Sequence, residues 1–172
     1  MNRKGFTLIE LLAVIVVLGL VLLISVPIIS DAYTKSKIKS EEVFVDRLTQ
    51  AIDSYVKLNS DTMSFSCESD KCEGRKTENG KEYDITYQKG VITINDIIND
   101  GILTQKDFVN AGNNNKNVSC EPNAEVEVYK DSDFVYCYKM EIDSLNCLTD
   151  AYKKNKKYAI DTCEWTPKKD QG

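Results

Sequence analysis

Histidine is missing from all 172 residues, so the chain lacks the side chain that most often acts as a general base near neutral pH. It also lacks a Gly-x-Ser-x-Gly nucleophile elbow and a phosphate-binding glycine-rich loop. The 27 acidic side chains offer many carboxylate pairs, but no spacing singles out one of them. We therefore expect a protein that is not an enzyme and that uses no cofactor and no metal ion.

Charge is almost missing from the N-terminal region, where Glu10 is the only ionisable side chain over residues 6–29. At ~1.5 Å per residue a helix over this run reaches ~36 Å, and the hydrocarbon core of a bilayer is ~30 Å thick. A secretory signal has a shorter apolar core and a small-residue cleavage pattern that this run lacks. The run therefore predicts a membrane-spanning helix, and Arg3 and Lys4 before it predict a cytoplasmic N-terminus.

The segment Lys4-Gly5-Phe6-Thr7-Leu8-Ile9-Glu10, followed directly by the apolar run, resembles the class III signal of type IV pilins and pseudopilins. The resemblance implies that a prepilin peptidase cuts between Gly5 and Phe6 and then methylates the new amino terminus on Phe6. It also implies an assembly ATPase with its membrane platform, and polymerisation of the chain with itself or in a mixed pilin filament.

Glu10 matches the family's glutamate, and an ionised carboxylate in hydrocarbon needs a partner. The apolar run offers none, so we expect the partner to be a backbone terminus or another chain. In a staggered bundle, Glu10 can meet the positive amine of Phe6 on a neighbouring subunit, and burying this pair would set the axial register. The resemblance also places a helix-weakening glycine at Gly19 and a helix-distorting proline at Pro27.

A second, amphipathic stretch continues the helix beyond the apolar run. Apolar residues recur there at the spacing of one helical face, at Phe44, Leu48, Ala51 or Ile52, Tyr55 and Leu58. The expected organisation is a cleaved leader over 1–5, a transmembrane and filament-core helix over 6–29, its amphipathic continuation over 30–59, and an extracellular β-rich domain over 60–172.

The remaining chain shows the alternation and turn residues of antiparallel strands. Turns are expected at Asn79-Gly80 and Lys89-Gly90, with strands over 83–87 and 91–94. Asn95 or Asp96 is expected to cap a short helix that ends before Gly101. A further hairpin is expected over 124–140. The predicted fold class is α+β, with a long N-terminal helix packed on a small antiparallel sheet, as in pilins.

Six cysteines lie beyond the apolar run, at Cys67, Cys72, Cys120, Cys137, Cys147 and Cys163. An even number in an oxidising exterior predicts up to three disulfides. A zinc site is the rival, but the chain has neither a Cys-x-x-Cys pair nor histidine. Proximity favours Cys67–Cys72, followed by Cys120–Cys137 and Cys147–Cys163.

The exposed part of the chain is acidic. Removing the leader would change the side-chain net charge from −5 to −7, so we expect no sequence-specific binding to nucleic acid. Four lysines, Lys153, Lys154, Lys156 and Lys157, lie near aromatic residues in the tail. A solvated face is the favoured interpretation, with binding to a polymer or nucleic acid as the alternative.

Three functions remain open. The first is a structural subunit of an extracellular type IV pilus for adhesion, motility or DNA capture. The second is a pseudopilin of a type II secretion or competence system, and the third is a membrane-anchored extracellular binding module. A cysteine-rich domain larger than a minimal competence pseudopilin needs favours the first. The expected location is the cytoplasmic membrane before assembly and the cell surface afterwards.

Overall fold

A computed structural model describes residues 7–67, 72–78, 80–106 and 120–167. In chain order the elements are α1 (Leu8–Asn59), β1 (Glu73–Glu78), β2 (Lys81–Thr93), α2 (Ile94–Asn99), β3 (Glu125–Asp131), β4 (Tyr136–Glu141), a 3₁₀ turn (Ile142–Ser144), α3 (Asp150–Lys153), β5 (Tyr158–Asp161) and β6 (Trp165–Pro167). The predicted α+β class, a long N-terminal helix followed by an antiparallel sheet with disulfides, is confirmed. The chain forms two compact units, Met1–Lys39 and Ser40–Gly172.

In the first unit, α1 leaves its apolar side chains exposed. The exposed large side chains include Leu11, Ile15, Leu18, Leu22 and Ile29. The most apolar 18-residue window of α1 has a mean hydropathy of 3.2, and none of this window is buried. A helix satisfies its own backbone hydrogen bonds, as hydrocarbon requires. By length and composition, this part of α1 can therefore cross a membrane.

In the second unit, the last five turns of α1 bury one stripe of side chains. Its apolar members are Val45, Leu48, Ala51, Ile52 and Val56. The predicted stripe was correct in its centre and wrong at its ends, since Leu58 is 75% exposed and Phe44 is only partly buried. At ~100° per residue, Val56 lies about 40° round the helix from Ile52, whereas Leu58 lies about 120° away.

The sheet has six antiparallel strands in the order β5-β4-β3-β2-β1-β6. The predicted hairpin over 124–140 is confirmed as β3 and β4. Val126, Val128 and Met140 are buried on one face, which also carries Tyr138. The Tyr138 hydroxyl donates a hydrogen bond to Asp53 on α1, at 2.9 Å, so this face packs against the helix.

The predicted turn at Lys89-Gly90 is wrong, because β2 runs through both residues. The backbone of Lys89 instead exchanges two 2.9 Å hydrogen bonds with Ser66. A Cβ atom on Gly90 would lie 3.2 Å from ring carbons of Phe65 and from the carbonyl oxygen of Ser64. Gly90 therefore marks a close approach of backbone to a strand.

The short helix α2 begins slightly earlier than predicted. Its N-cap is Thr93, whose hydroxyl accepts from the Asp96 N–H while the Asp96 carboxylate accepts from the Thr93 N–H. This reciprocal arrangement is a capping box. Gly101 follows the C-cap in a left-handed conformation, with φ 76°, which agrees with the expected glycine at the helix end.

The sheet is strongly curled. Only residues 162–164 separate β5 from β6, although these two strands lie at opposite edges of the strand order. A flat six-stranded sheet would hold its edges about 24 Å apart, whereas four peptide links reach at most about 14 Å. The edges therefore approach each other, and Trp165 packs inside the curl against Tyr87 and Tyr129, with ring centroids 4.3 and 5.2 Å apart.

The disulfide pairing differs in part from the prediction. Cys67–Cys72 is confirmed. The predicted Cys120–Cys137 and Cys147–Cys163 bonds are wrong, since the bonds are Cys120–Cys147 and Cys137–Cys163. The curl of the sheet explains why the cysteines pair differently from the prediction. Thr162 and Tyr138 hydrogen-bond through both Thr162 N–H to Tyr138 O and Tyr138 N–H to the Thr162 hydroxyl, which brings the neighbouring Cys163 to Cys137 on β4.

Candidate assembly site on the N-terminal helix

Glu10 lies in the first turn of α1 and takes part in a capping box with Thr7. Its Oε2 atom accepts hydrogen bonds from the backbone N–H and the hydroxyl of Thr7, each at 2.8 Å. The Glu10 N–H donates to the Thr7 hydroxyl at 3.4 Å. The carboxylate also lies at the end of the helix where the dipole favours negative charge.

This geometry corrects one expectation about Glu10. A partner does lie within residues 6–29, because Thr7 donates two hydrogen bonds to the carboxylate in the same chain. The sequence signal was present, since Thr7-x-x-Glu10 has the spacing of a capping box. Glu10 is itself exposed in the single chain, and its proposed pairing with a neighbouring amine stays a prediction.

For the other predicted residues of the signal, the structure describes only the helix at positions 19 and 27. Gly5 and Phe6, the expected cleavage and methylation positions, lie outside the described residues. The helical backbone continues through positions 19 and 27. A Cβ on Gly19 would meet no atom within 4 Å. Helix weakening at Gly19 and distortion at Pro27 therefore stay predictions.

Sequence reasoning missed a buried carboxylate on α1. Glu41 is fully buried, and its two oxygens accept from the backbone N–H and the hydroxyl of Thr149, at 2.8 and 2.7 Å. Thr149 is also the N-cap of α3. Glu41 therefore links α1 to the C-terminal segment of the second unit through hydrogen bonds. The signal was its place one turn before Val45, on the buried stripe.

Two further carboxylates bind tyrosine hydroxyls. Asp53 accepts from Tyr138 at 2.9 Å and from Lys57 at 2.7 Å. Burial raises the pKa of the Asp53 carboxyl, but the hydrogen bonds from Lys57 and Tyr138 outweigh it and hold the pKa below its usual value. Burial, followed by the hydrogen bond to Asp53, raises the pKa of Tyr138.

The second carboxylate, Glu127, lies on the inner face of the curl. It accepts from Tyr129 and Lys89, both at 2.8 Å. Burial raises the pKa of Glu127, but the bonds from Lys89 and Tyr129 outweigh it, so the pKa lies below its usual value. Burial, followed by the bond to Glu127, raises the pKa of Tyr129. These pairs stabilise packing of the sheet.

The structure of the lysine-rich tail agrees with the interpretation that these lysines form a solvated face. Lys156 and Lys157 are exposed, and their ammonium groups lie 3.5 Å from the ring centroid of Tyr152 and 4.9 Å from that of Tyr158. Tyr152 and Trp165 are buried. Stacking on nucleic-acid bases needs exposed rings, so these two do not provide that surface.

Comparison with protein families identifies the N-terminal segment. Residues 1–26 match the family described as the prokaryotic N-terminal methylation motif, which is the prepilin signal. The match covers the leader and the beginning of α1 and does not extend to the sheet. Comparison with curated proteins and with solved structures gives no match.

The motif and the fold together define a class: a prepilin-type chain with an apolar N-terminal helix followed by a disulfide-bonded antiparallel sheet. In this signal and in this order of elements the chain is similar to type IV pilins and pseudopilins. The motif implies processing by a prepilin peptidase and pilus assembly, and the apolar helix is consistent with membrane anchoring before assembly.

Proposed function

We propose that this chain is a structural subunit of an extracellular type IV pilus. The observation that carries the proposal is the methylation motif at residues 1–26, which includes the beginning of a helix whose apolar side chains are exposed. Exposed apolar surface of this extent must be covered by lipid or by other protein. In the proposal, lipid covers it before assembly and neighbouring α1 helices cover it in the filament.

Assembly then follows a defined order. The chain enters the cytoplasmic membrane with its N-terminus inside, and the prepilin peptidase cuts after Gly5 and methylates Phe6. An assembly ATPase and its membrane platform lift the subunit from the bilayer. Glu10 pairs with the amine of a neighbouring Phe6 and sets the register. The subunit is a substrate of these enzymes and has no catalytic role of its own.

The disulfides support a surface pilin over a pseudopilin. Three bonds link all six cysteines in the second unit. Such bonds persist in oxidising surroundings outside the cytoplasm, and they help a small domain to remain folded. A filament that extends from the cell places every subunit in those conditions.

Electron microscopy of material shed from cells, labelled with antibody against this chain, tests the proposal. We expect long fibres labelled along their length, and no labelled fibres from cells that carry a Gly5→Leu chain, which blocks processing. Label confined to the cell envelope would contradict the proposal and favour a pseudopilin. A processed chain that stays in the membrane as a monomer would favour a membrane-anchored binding module.

A further inference from the structure

A cavity of about 450 Å³ lies beside the turn that joins β3 to β4. Its lining includes Thr86, Gln88, Lys130, Ser132 and Phe134. This volume lies in the range of small-molecule pockets, which is about 300–1,000 Å³. None of the lining residues belongs to α1.

Phe134, which lines this cavity, has an exposed ring and an unusual backbone conformation. Its side chain is 68% exposed, and its φ of 61° lies in the left-handed region that a bulky residue rarely adopts. The turn holds this conformation, because Asp131 Oδ1 accepts from the N–H groups of Asp133 and Val135 at 2.9 and 2.8 Å. An exposed ring and a strained backbone both cost stability in the isolated domain, and strain of this kind clusters at binding sites.

The chemistry around the ring suits a hydroxyl-rich, uncharged ligand. The hydroxyls of Thr86 and Ser132 and the amide of Gln88 each donate and accept hydrogen bonds, as sugar hydroxyls do. Lys130 lies over the Phe134 ring, 4.1 Å from its centroid, and occupies one face of the ring. The opposite face can pack against the C–H groups of a sugar ring.

The charges on the lining disfavour nucleic acid and other polyanions. The described lining includes two carboxylates, Glu73 and Asp131, and one cation, Lys130. The whole chain also carries a net charge of −5. Polyanion sites need an excess of positive charge, and this cavity has the opposite balance.

The backbone around the cavity disfavours an extended peptide. Peptides often bind by adding a strand to a free sheet edge. Here β2 is paired on both sides, because Thr86 lies opposite Glu73 on β1 and Gln88 lies opposite Lys130 on β3. Recognition at this place must therefore use side chains.

We propose that the Phe134 cavity binds a neutral saccharide unit of a surface polysaccharide. Phe134 packs on the apolar face of the sugar, while Thr86, Gln88 and Ser132 bind its hydroxyls. The inference deepens the proposed function by giving the displayed domain a ligand class. Binding itself needs no filament, so it is measured on single subunits.

Isothermal titration calorimetry of the full chain in a zwitterionic, sugar-free detergent tests the proposal, because an alkyl glycoside detergent would compete for the site. The probes are cellotriose and the trimer of N-acetylglucosamine, with an unmodified decapeptide pool as a competing class. We expect saturable binding of at least one saccharide with a dissociation constant of about 1 mM or below. No binding of either saccharide up to about 10 mM, or binding of the peptide pool alone, would overturn the proposal.

Variants at the turn separate recognition from folding. Phe134→Gly fits the left-handed backbone, so we expect a folded chain with saccharide affinity reduced about tenfold, while Phe134→Tyr keeps the affinity within about twofold. Val135→Ala, at the exposed neighbouring position, is the matched control and keeps wild-type affinity. Equal affinity of Phe134→Gly and wild type would overturn the role of the ring. Failure of filament formation with intact saccharide binding would count against the proposed function alone.

Discussion

At the residue scale, hydroxyl groups hold the structurally important carboxylates of this chain. Thr7 donates to Glu10, Thr149 donates to Glu41, and Tyr138 donates to Asp53. Hydrogen bonds to charged acceptors are stronger than those between neutral groups. These hydrogen bonds offset part of the cost of placing acidic residues at the N-terminus of α1 and at its contacts within the second unit.

Replacing Glu41 by alanine is expected to lower the free energy of unfolding by about 1–3 kcal/mol, because the partly buried N–H and hydroxyl of Thr149 lose their acceptor. Glu41→Gln keeps one acceptor oxygen and is expected to lose less. Denaturant unfolding in detergent, followed by near-ultraviolet circular dichroism, measures the change. Glu42→Ala, at the exposed next position, is the control and should stay within about 0.5 kcal/mol. Equal effects of the two alanine variants would contradict the role of Glu41.

The two tyrosine–carboxylate pairs predict a stability plateau in pH. The pKa values of Tyr138 and Tyr129 are raised above 10.0, so their stabilisation is complete below that pH and is lost as the pH rises beyond it. The pKa values of Asp53 and Glu127 are lowered below 3.8 and 4.5, so their stabilisation is present above those values and is lost as the pH falls.

The loss of stability at high pH can be assigned to one residue. Tyr138→Phe is expected to have a lower melting temperature than wild type at neutral pH and a shallower decline above pH 10, because one group that resists ionisation is gone. Thermal unfolding between about pH 8 and pH 11 measures the slope. Tyr83→Phe, at an exposed position, is the control and should keep the wild-type slope. A Tyr138→Phe slope equal to that of wild type would exclude this assignment.

At the element scale, local signals predicted the elements better than the contacts between them. The strands β3 and β4, the end of α1 at Asn59 and the role of Gly101 follow from patterns within a few residues. Gly90 was misread because a glycine signals a turn or a close approach equally well. The close approach of Phe65 depends on a tertiary contact that no local pattern contains.

Gly90→Ala tests this explanation of β2. The added methyl group would lie 3.2 Å from the Phe65 ring and the Ser64 carbonyl oxygen, so we expect a loss of about 1–3 kcal/mol in the free energy of unfolding. Chemical denaturation of the full chain measures it. Lys81→Ala, at the exposed beginning of the same strand, is the control. A Gly90→Ala chain as stable as wild type would mean that the 64–66 segment does not pack on β2.

Disulfide pairing was the other failure at this scale, since proximity along the chain takes no account of the curl. Replacing Cys137 and Cys163 by serine is expected to cost about 3–4 kcal/mol, against about 2 kcal/mol for Cys67 and Cys72, because the bonded residues are 26 and 5 positions apart. Denaturation of both double variants compares these costs, and mass spectrometry of unreduced peptides maps the bonds. A peptide that joins Cys120 to Cys137 would refute the pairing.

At the scale of the whole molecule, the two units present different surfaces. The first unit exposes a helix suited to hydrocarbon, and the second buries its own core around β3, β4 and α1. The sequence alone was enough to recognise the signal and the apolar run, because charge and hydropathy act there without tertiary context. The Glu41–Thr149 contact and the Phe134 cavity depend on residues distant in sequence, which only the folded sheet brings together.

Glu10→Ala tests the proposed role of Glu10 in setting the register of the filament. Cleavage should remain largely intact, whereas incorporation into filaments should fall strongly, because the neighbouring amine loses its anionic partner. Quantitative immunoblots of processed and filament-bound chain measure the two steps separately. Glu42→Ala makes the same change of charge outside the apolar run and should assemble normally. Unimpaired filaments from Glu10→Ala would contradict the register.

The intact mass and N-terminal sequence of the chain isolated from the cell surface test the central claim most directly. The account predicts a chain that begins at Phe6, carries one methyl group on its terminal amine, and lacks the six hydrogen atoms removed by three disulfides. A surface chain that still begins at Met1, or that begins at Phe6 without a methyl group, would contradict it.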